Sequence, residues 1–264
     1  MRQNRTMQGF TLIELVMVIV LVSILSVLGG ELIVLPIKSY QALERRAELS
    51  YLAEAALRRM QRDIRQALPN SIRISGGNTL EFLNAADGGR YRSKTTKQGN
   101  GDVLNFDAPD SSFDVMGDLA EDPSGWVVIY NLGVGHTNAD AYEGNNRAAV
   151  SNTSKTDSVV LTASKQFPFE SPEQRFFIVD EPIAYRCQNN QIQRFHGYAI
   201  SESVPNFDVL SYDLLLNAPG IACSFNYNAG SGTRTGLVTL TISLTDAAGE
   251  SVTLIHQVHV DNVS

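Results

Sequence analysis

A single carboxylate lies near the start of a long apolar run. Glu14 is the only charged residue in residues 10–30, and Thr11, Ser23 and Ser26 are the only other polar side chains there. A carboxylate in an apolar environment is costly unless a cation pairs with it. The chemistry that Glu14 predicts is therefore ion pairing inside an apolar environment.

The apolar run is long enough to cross a bilayer. As a helix rising about 1.5 Å per residue, residues 10–30 would cover roughly 30 Å, which matches the hydrocarbon core of a membrane. Arg2 and Arg5 precede the run, and residues 1–9 contain no acidic side chain. Because positive charge before a span keeps that end in the cytoplasm, we expect a single-pass membrane protein whose C-terminal domain lies outside the cytoplasm. In a Gram-negative cell, this is an inner-membrane protein with a periplasmic C-terminal domain.

Two other interpretations fit the N-terminus less well. A cleaved secretory signal has a shorter apolar core and ends at a small-residue cleavage site, and no such site follows this run. A plain single-pass anchor explains the length of the run. It explains neither Glu14 nor the junction between Gly9 and Phe10.

Residues 9–15 read Gly-Phe-Thr-Leu-Ile-Glu-Leu. This segment resembles the processing motif of type IV prepilins and type II secretion pseudopilins. The resemblance implies that prepilin peptidase cuts between Gly9 and Phe10, and that Phe10 is then N-methylated. It also implies assembly with other pilin or minor pilin subunits through an inner-membrane assembly platform, with the pilus as the final location.

Physical chemistry accounts for the spacing of this motif. Glycine before the cut carries no side chain, so a peptidase can approach the backbone closely. The cut would create an α-amine on Phe10, about one helical turn from Glu14. In a bundle of such helices, Glu14 can pair with the amine of a neighbouring subunit and thereby fix the register of assembly.

A second, amphipathic helical pattern follows the apolar run. Gly29, Gly30 and Pro36 are expected to interrupt or bend the helix. Beyond them, apolar residues recur every three or four positions and define one face: Leu49, Leu52, Ala53, Ala56, Leu57, Met60, Ile64 and Leu68. Pro69 ends the pattern.

The remainder of the chain reads as strands. Residues 237–245 alternate apolar and polar side chains, as in a half-buried antiparallel strand, and residues 252–260 are the expected partner. Hairpin turns are predicted at residues 76–78 and 188–190. Further short strands are predicted at residues 72–74, 80–82, 126–130, 159–161, 176–179, 183–187 and 191–195. We expect an α+β fold of type IV pilin-like form, with a long, kinked N-terminal helix packed on antiparallel β-sheet.

Four segments are predicted along the chain. They are a leader peptide (residues 1–9), a transmembrane and assembly helix (10–35), an amphipathic helix (36–68) and a periplasmic β-rich domain (69–264). Residues 85–102 and 133–155 are rich in polar residues and are expected to form surface loops.

Two cysteines, Cys187 and Cys223, lie in the predicted exported domain. A lone pair of cysteines in an oxidising compartment usually forms a disulfide, and two buried free thiols are the alternative. Neither cysteine has a second one in C-x-x-C spacing, so a zinc site is not expected.

The sequence offers no residues for catalysis or cofactor binding. It lacks nucleotide-binding, hydrolase and zinc-protease motifs, so we expect neither an enzyme nor a cofactor. The net charge of −7 comes from acidic residues after position 68, which argues against a nucleic-acid partner. The aspartates at 102, 107, 110, 114 and 118 do not follow EF-hand spacing, so no metal site is predicted.

The length of the chain and two further stretches indicate a narrower group within this family. Residues 183–187 and 193–198, together with the length of the chain, are similar to minor pilins of the MSHA pilus family. The resemblance implies a low-abundance subunit that initiates assembly or lies at the tip. A tip adhesin that binds through the long loops, or a minor pseudopilin of a type II secretion system, is the alternative.

Overall fold

A computed structural model describes residues 9–230 and 235–262, and for residues 28–35 it describes the backbone alone. Over these residues one α-helix, α1 (Leu12–Arg65), is followed by twelve strands and a 3-10 turn at Phe207–Val209. The strands are β1 Arg73–Ser75, β2 Thr79–Arg90, β3 Asp110–Asp114, β4 Trp126–Ile129, β5 Arg147–Ala149, β6 Ser158–Lys165, β7 Arg175–Gln188, β8 Gln191–Phe195, β9 Asp213–Asn217, β10 Ala222–Asn228, β11 Gly236–Thr245 and β12 Ser251–Val260.

The helix is continuous over the segment where a kink is predicted. α1 runs through Gly29, Gly30 and Pro36 without a break in its assignment, although proline supplies no N–H to the helix. It ends at Arg65, slightly before the predicted end at Leu68.

The chain divides into two compact units. The described residues up to Glu48 belong to one unit, and the unit that begins at Leu49 contains the second part of α1 and all described strands. The division into four segments that the sequence predicts stays a prediction.

The described strands form three antiparallel sheets. The first sheet has the order β1-β2-β7-β4-β5, and β8 and β9 extend it from β7. The second sheet has the order β10-β11-β12, and the third consists of β3 and β6. β7 is the central strand of the first sheet, because it pairs with β2 along most of its length, with β4 in its first half and with β8 in its second half.

The amphipathic part of α1 packs against two sheets. Its buried face shares one core with Leu80 and Tyr185 of the first sheet and with Leu240 and Ile242 of the second. The predicted fold class, an α+β pilin-like fold with a single helix packed on antiparallel sheet, is wrong. Among the described residues, more belong to strands than to helix, so the protein is mostly β-sheet with several antiparallel sheets.

The width of the first sheet explains this difference. At most five strands of the first sheet lie side by side, because β4 and β8 pair with different halves of the same edge of β7. Spaced about 4.8 Å apart, five strands span roughly 19 Å, whereas a helix is only about 10 Å wide. The third sheet covers the part of the first sheet that α1 does not reach, and it forms a core without residues of α1. In that core the rings of Phe113 from β3 and Phe176 from β7 lie 5.2 Å apart, edge to face.

Several local predictions are confirmed. β1 and β2 form a hairpin in which Ser75 pairs with Thr79. β7 and β8 form a second hairpin, and Asn189 and Asn190 at its turn have φ angles of 53° and 59°, as the tight turns favoured in hairpins require. β11 alternates buried and half-buried residues along its whole length, and it pairs with β12.

The prediction of two surface loops, at residues 85–102 and 133–155, is wrong in part. β2 continues to Arg90, so the first third of residues 85–102 belongs to the first sheet. Residues 133–155 contain β5, and Tyr142 in this segment is buried, with its hydroxyl donating to the carbonyl of Ser71 at 3.1 Å. A buried aromatic anchor of this kind gives no period-2 signal in the sequence.

Cys187 and Cys223 form a disulfide, as predicted, with Cα atoms 5.9 Å apart. The bond joins the end of β7 in the first sheet to β10 in the second. Beside it, the carbonyl of Gly77 accepts from the N–H of Phe225 at 2.8 Å, so a hydrogen bond reinforces the same junction. The disulfide therefore connects the two sheets that pack against the amphipathic part of α1.

Replacing both cysteines by serine is expected to destabilise the protein by about 2–4 kcal/mol, since the bond closes a loop with a sequence separation of 36 residues. Denaturant unfolding of the protein in detergent measures the change, and reduction of the unmodified protein serves as the matched control. An unchanged unfolding midpoint in both experiments would contradict the role given to the bond.

We expect the protein to lose stability at alkaline pH because the phenol of Tyr91 is buried. Its side chain is buried in the core of the third sheet, where the hydroxyl donates to the carbonyl of Ser171 at 3.3 Å. Burial raises the pKa of Tyr91 from 10.0 to about 12. Because the folded state favours the neutral phenol, its contribution is complete below pH 10 and is lost as the pH rises through about 12.

In denaturant unfolding experiments between pH 9 and 12, the midpoint denaturant concentration should therefore fall as the pH rises. The variant Tyr91→Phe should show a smaller fall. Equal pH slopes for the variant and the unmodified protein would contradict this assignment.

Candidate functional site at the start of the helix

The predicted cleavage junction lies outside the helix. Gly9 and Phe10 are exposed and have no regular secondary structure, since α1 begins at Leu12. A Cβ atom added at Gly9 would meet no atom within 4 Å. No described part of the molecule therefore shields the peptide bond that a peptidase would have to reach.

Glu14 lies in the first turn of α1, with its side chain exposed. Its backbone N–H donates to the carbonyl of Thr11 at 3.1 Å, at the point where the helical hydrogen bonds begin. A carboxylate in a first turn is favoured by the helix dipole. The pairing of Glu14 with the α-amine of Phe10 in a neighbouring subunit stays a prediction.

The helix before and after Glu14 exposes apolar side chains on every side. These side chains are between 47% and 82% exposed, and they belong to Leu12, Ile13, Leu15, Val16, Met17, Val18, Ile19, Val20, Leu21, Val22, Ile24, Leu25 and Val27. Ser23 and Ser26 donate their hydroxyls to the carbonyls of Ile19 and Val22, both at 2.7 Å, so neither hydroxyl needs water. A helix that is apolar all round is normally covered by other apolar groups.

By length and hydropathy, no helix among the described residues qualifies as a membrane span.

Comparison with known families supports the N-terminal assignment. Residues 4–29 match the family described as "Prokaryotic N-terminal methylation motif". The match supports a type IV prepilin-like protein, either a pilin or a pseudopilin, that is processed by prepilin peptidase and has pilin-type assembly partners. It suggests an N-terminal membrane anchor of the pilin type. No curated protein and no solved structure matches the chain.

A buried ion cluster ties the end of α1 to the first sheet, and the sequence analysis did not identify it. Asp63 Oδ2 accepts hydrogen bonds from Tyr185 Oη and from Arg194 Nε, both at 2.8 Å. Arg59 Nε lies 3.3 Å from Asp63 Oδ1. Burial, together with the Asp63 carboxylate, raises the pKa of Tyr185 above its ordinary value. The cluster fixes the helix on β7 and β8, so its role is structural.

A second buried cluster surrounds Glu81, which is only 2% exposed. Its carboxylate accepts from Arg73 Nε at 2.7 Å and from Tyr198 Oη at 3.0 Å. The Arg73 guanidinium also lies 3.8 Å from the centre of the Tyr142 ring. Burial and the Glu81 charge raise the pKa values of Tyr142 and Tyr198. These contacts hold the segment after β8 and the segment before β5 on the sheet.

Aspartates in the acidic segment at residues 102–118 accept hydrogen bonds from other groups of the protein. Asp114 Oδ2 accepts from Arg92 Nε and from the N–H of Asp102, both at 3.0 Å. Asp110 accepts from the N–H of Asn105 at 2.8 Å. Within the described residues, no group of three histidine, cysteine, aspartate or glutamate side chains is placed to hold a metal ion.

Proposed function

We propose that this protein is a minor pilin, a structural subunit of a type IV pilus that acts at the initiation of assembly or at the tip. Its role is structural and not enzymatic. The observation that carries the proposal is the exposed apolar helix inside the methylation-motif match, with Glu14 as its one charge between residues 10 and 27.

The exposed apolar helix accounts for the proposed order of insertion, cleavage and incorporation into the pilus. Lipid covers the apolar helix first, in the inner membrane, with Arg2 and Arg5 on the cytoplasmic side and the β-rich domain in the periplasm. Prepilin peptidase then cuts between Gly9 and Phe10. The helices of other subunits replace lipid around residues 12–27 when the subunit enters the pilus, and Glu14 pairs there with a neighbouring Phe10 amine.

We propose further that the pilus is of the MSHA type. Residues 183–187 and 193–198 are similar to the MSHA pilus biogenesis protein MshO. These stretches lie in β7 and in β8 with the residues after it, so they come from one hairpin of the central sheet. The disulfide partner Cys187 is in the first stretch.

Deletion of the gene tests the proposed role. A minor pilin that initiates assembly predicts loss of surface filaments, with recovery when the intact protein is restored. Normal filaments with lost attachment would favour the tip adhesin instead, and intact pili with lost protein secretion would favour the type II pseudopilin. Substrate turnover by the purified protein would contradict the structural role.

A further inference from the structure

One exposed asparagine is followed directly by a glycine. Asn100 and Gly101 form the only Asn-Gly pair in the sequence, and both residues are exposed. They lie in the connection between β2 and β3, outside any helix or strand, and within the compact unit that begins at Leu49. Because glycine has no side chain, its backbone nitrogen can approach the side-chain amide of the preceding asparagine closely.

The hydrogen bonds of this turn leave both reacting groups free. The N–H of Asn100 donates to Thr96 Oγ1 at 3.1 Å, and the carbonyl of Asn100 accepts from the N–H of Thr96 at 2.7 Å. These two bonds hold the backbone of Asn100. The side-chain amide of Asn100 and the N–H of Gly101 make no hydrogen bond with any described residue, so neither group has to be released before it reacts.

The fold requires glycine at position 101. Its φ angle is 106°, a value that residues with a side chain rarely adopt. A Cβ atom there would lie 2.6 Å from Cδ and from Nε of Arg92. Arg92 Nε donates to Asp114 Oδ2 at 3.0 Å, so making room for a Cβ would disturb this ion pair. The packing of Arg92 therefore keeps the least hindered neighbour beside Asn100.

Asn138 provides an internal comparison. It is also exposed and lies in a turn. The residue after it, Ala139, is buried, and its N–H donates to the carbonyl of His136 at 2.9 Å. Because the Cβ of Ala139 hinders approach and its nitrogen is already bonded, Asn138 should react far more slowly than Asn100.

We propose that Asn100 is a site of spontaneous deamidation through a cyclic imide formed with Gly101. The Gly101 nitrogen loses its proton to solvent and forms a bond to Cγ of Asn100. The bond between Cγ and Nδ2 breaks, and the departing nitrogen takes a proton from water and leaves as ammonia. Water then opens the imide at either carbonyl carbon. Cleavage of the bond from nitrogen to Cγ gives aspartate, and cleavage of the bond to the main-chain carbonyl carbon gives isoaspartate.

The reaction changes a loop whose two ends are held. The N–H of Arg92 donates to the carbonyl of Asp114 at 2.9 Å, and the N–H of Asp102 donates to Asp114 Oδ2 at 3.0 Å. Both products add a negative charge between these points, and isoaspartate also adds one carbon atom to the backbone. Because the reaction needs only water, the altered loop accumulates as the protein ages, whether or not the protein enters a pilus.

Ageing of the full-length protein in detergent tests this site. After incubation of the folded protein at mildly alkaline pH, tandem mass spectrometry should find both aspartate and isoaspartate at position 100. Asn100 should deamidate at least about tenfold faster than Asn138. Asn100→Gln should form almost no product at this position, because its longer side chain would have to close a larger ring. The control Asn138→Gln should leave the reaction at Asn100 unchanged.

Urea-unfolded protein supplies the comparison for the role of the fold. The rate at Asn100 should be similar in folded and unfolded protein, since the folded turn leaves the reacting groups free. A much lower rate in the folded protein would overturn the proposal, because the fold would then hold the pair in an unreactive geometry. Equal rates at Asn100 and Asn138 in the folded protein would also overturn it. Aspartate without isoaspartate at position 100 would exclude attack by the Gly101 nitrogen.

Discussion

Replacing Glu14 with alanine is expected to leave the protein inserted in the membrane and processed, but to exclude it from pili. The variant keeps the apolar run and the Gly9-Phe10 junction, so insertion and cleavage have no reason to change. It leaves the Phe10 amine of a neighbouring subunit unpaired in an apolar bundle. Breaking a buried ion pair costs about 3–5 kcal/mol, which corresponds to a loss of incorporation of about a hundredfold or more.

Immunoblots of membranes measure insertion and processing, and immunoblots of sheared pili measure incorporation. Ser26→Ala is the matched control, because the hydroxyl of Ser26 bonds only within its own helix and the variant should be incorporated normally. Glu14→Asp keeps the charge and should retain part of the incorporation. Normal incorporation of Glu14→Ala would count against ion pairing as the function of this residue.

Replacing Asp63 with alanine is expected to destabilise the folded protein by about 3–5 kcal/mol. Arg194 Nε and Tyr185 Oη both donate to this carboxylate at 2.8 Å, and the side chain of Arg194 is 13% exposed. Alanine would leave the guanidinium buried without its main partner. Thermal or denaturant unfolding of the protein in detergent measures the effect.

An exposed ion pair on the same helix gives the comparison. Glu54 and Arg58 lie 2.7 Å apart, with side chains 54% and 71% exposed, so Glu54→Ala should cost about 0.5 kcal/mol or less. Tyr185→Phe should fall between the two variants, since it removes one hydrogen bond and no charge. Equal costs for Asp63→Ala and Glu54→Ala would show that the cluster does not fix the helix.

The sequence revealed those parts of the fold that have a regular period. The buried face of α1 was visible because Ala53, Met60 and Ile64 follow helical spacing. The alternation of β11 was equally clear. β3 and residues 85–90 of β2 gave no such signal, so the third sheet and the full length of β2 were missed. Without them, one helix on one sheet was the simplest interpretation, and it was wrong.

The N-terminal processing segment could be identified from the sequence for a different reason. Gly9, Phe10 and Glu14 form a local pattern whose chemistry depends on short spacing, so one sequence suffices to identify it. The Asp63 cluster joins residues 122 and 131 positions apart, and a single sequence carries no signal for such pairs.

The mass of the N-terminal peptide tests the central claim most directly. Protein purified from membranes of cells with active prepilin peptidase should begin at Phe10 and carry one additional methyl group on its amine. A mature chain that still begins at Met1 under these conditions, or that is cut at another bond, would contradict the account.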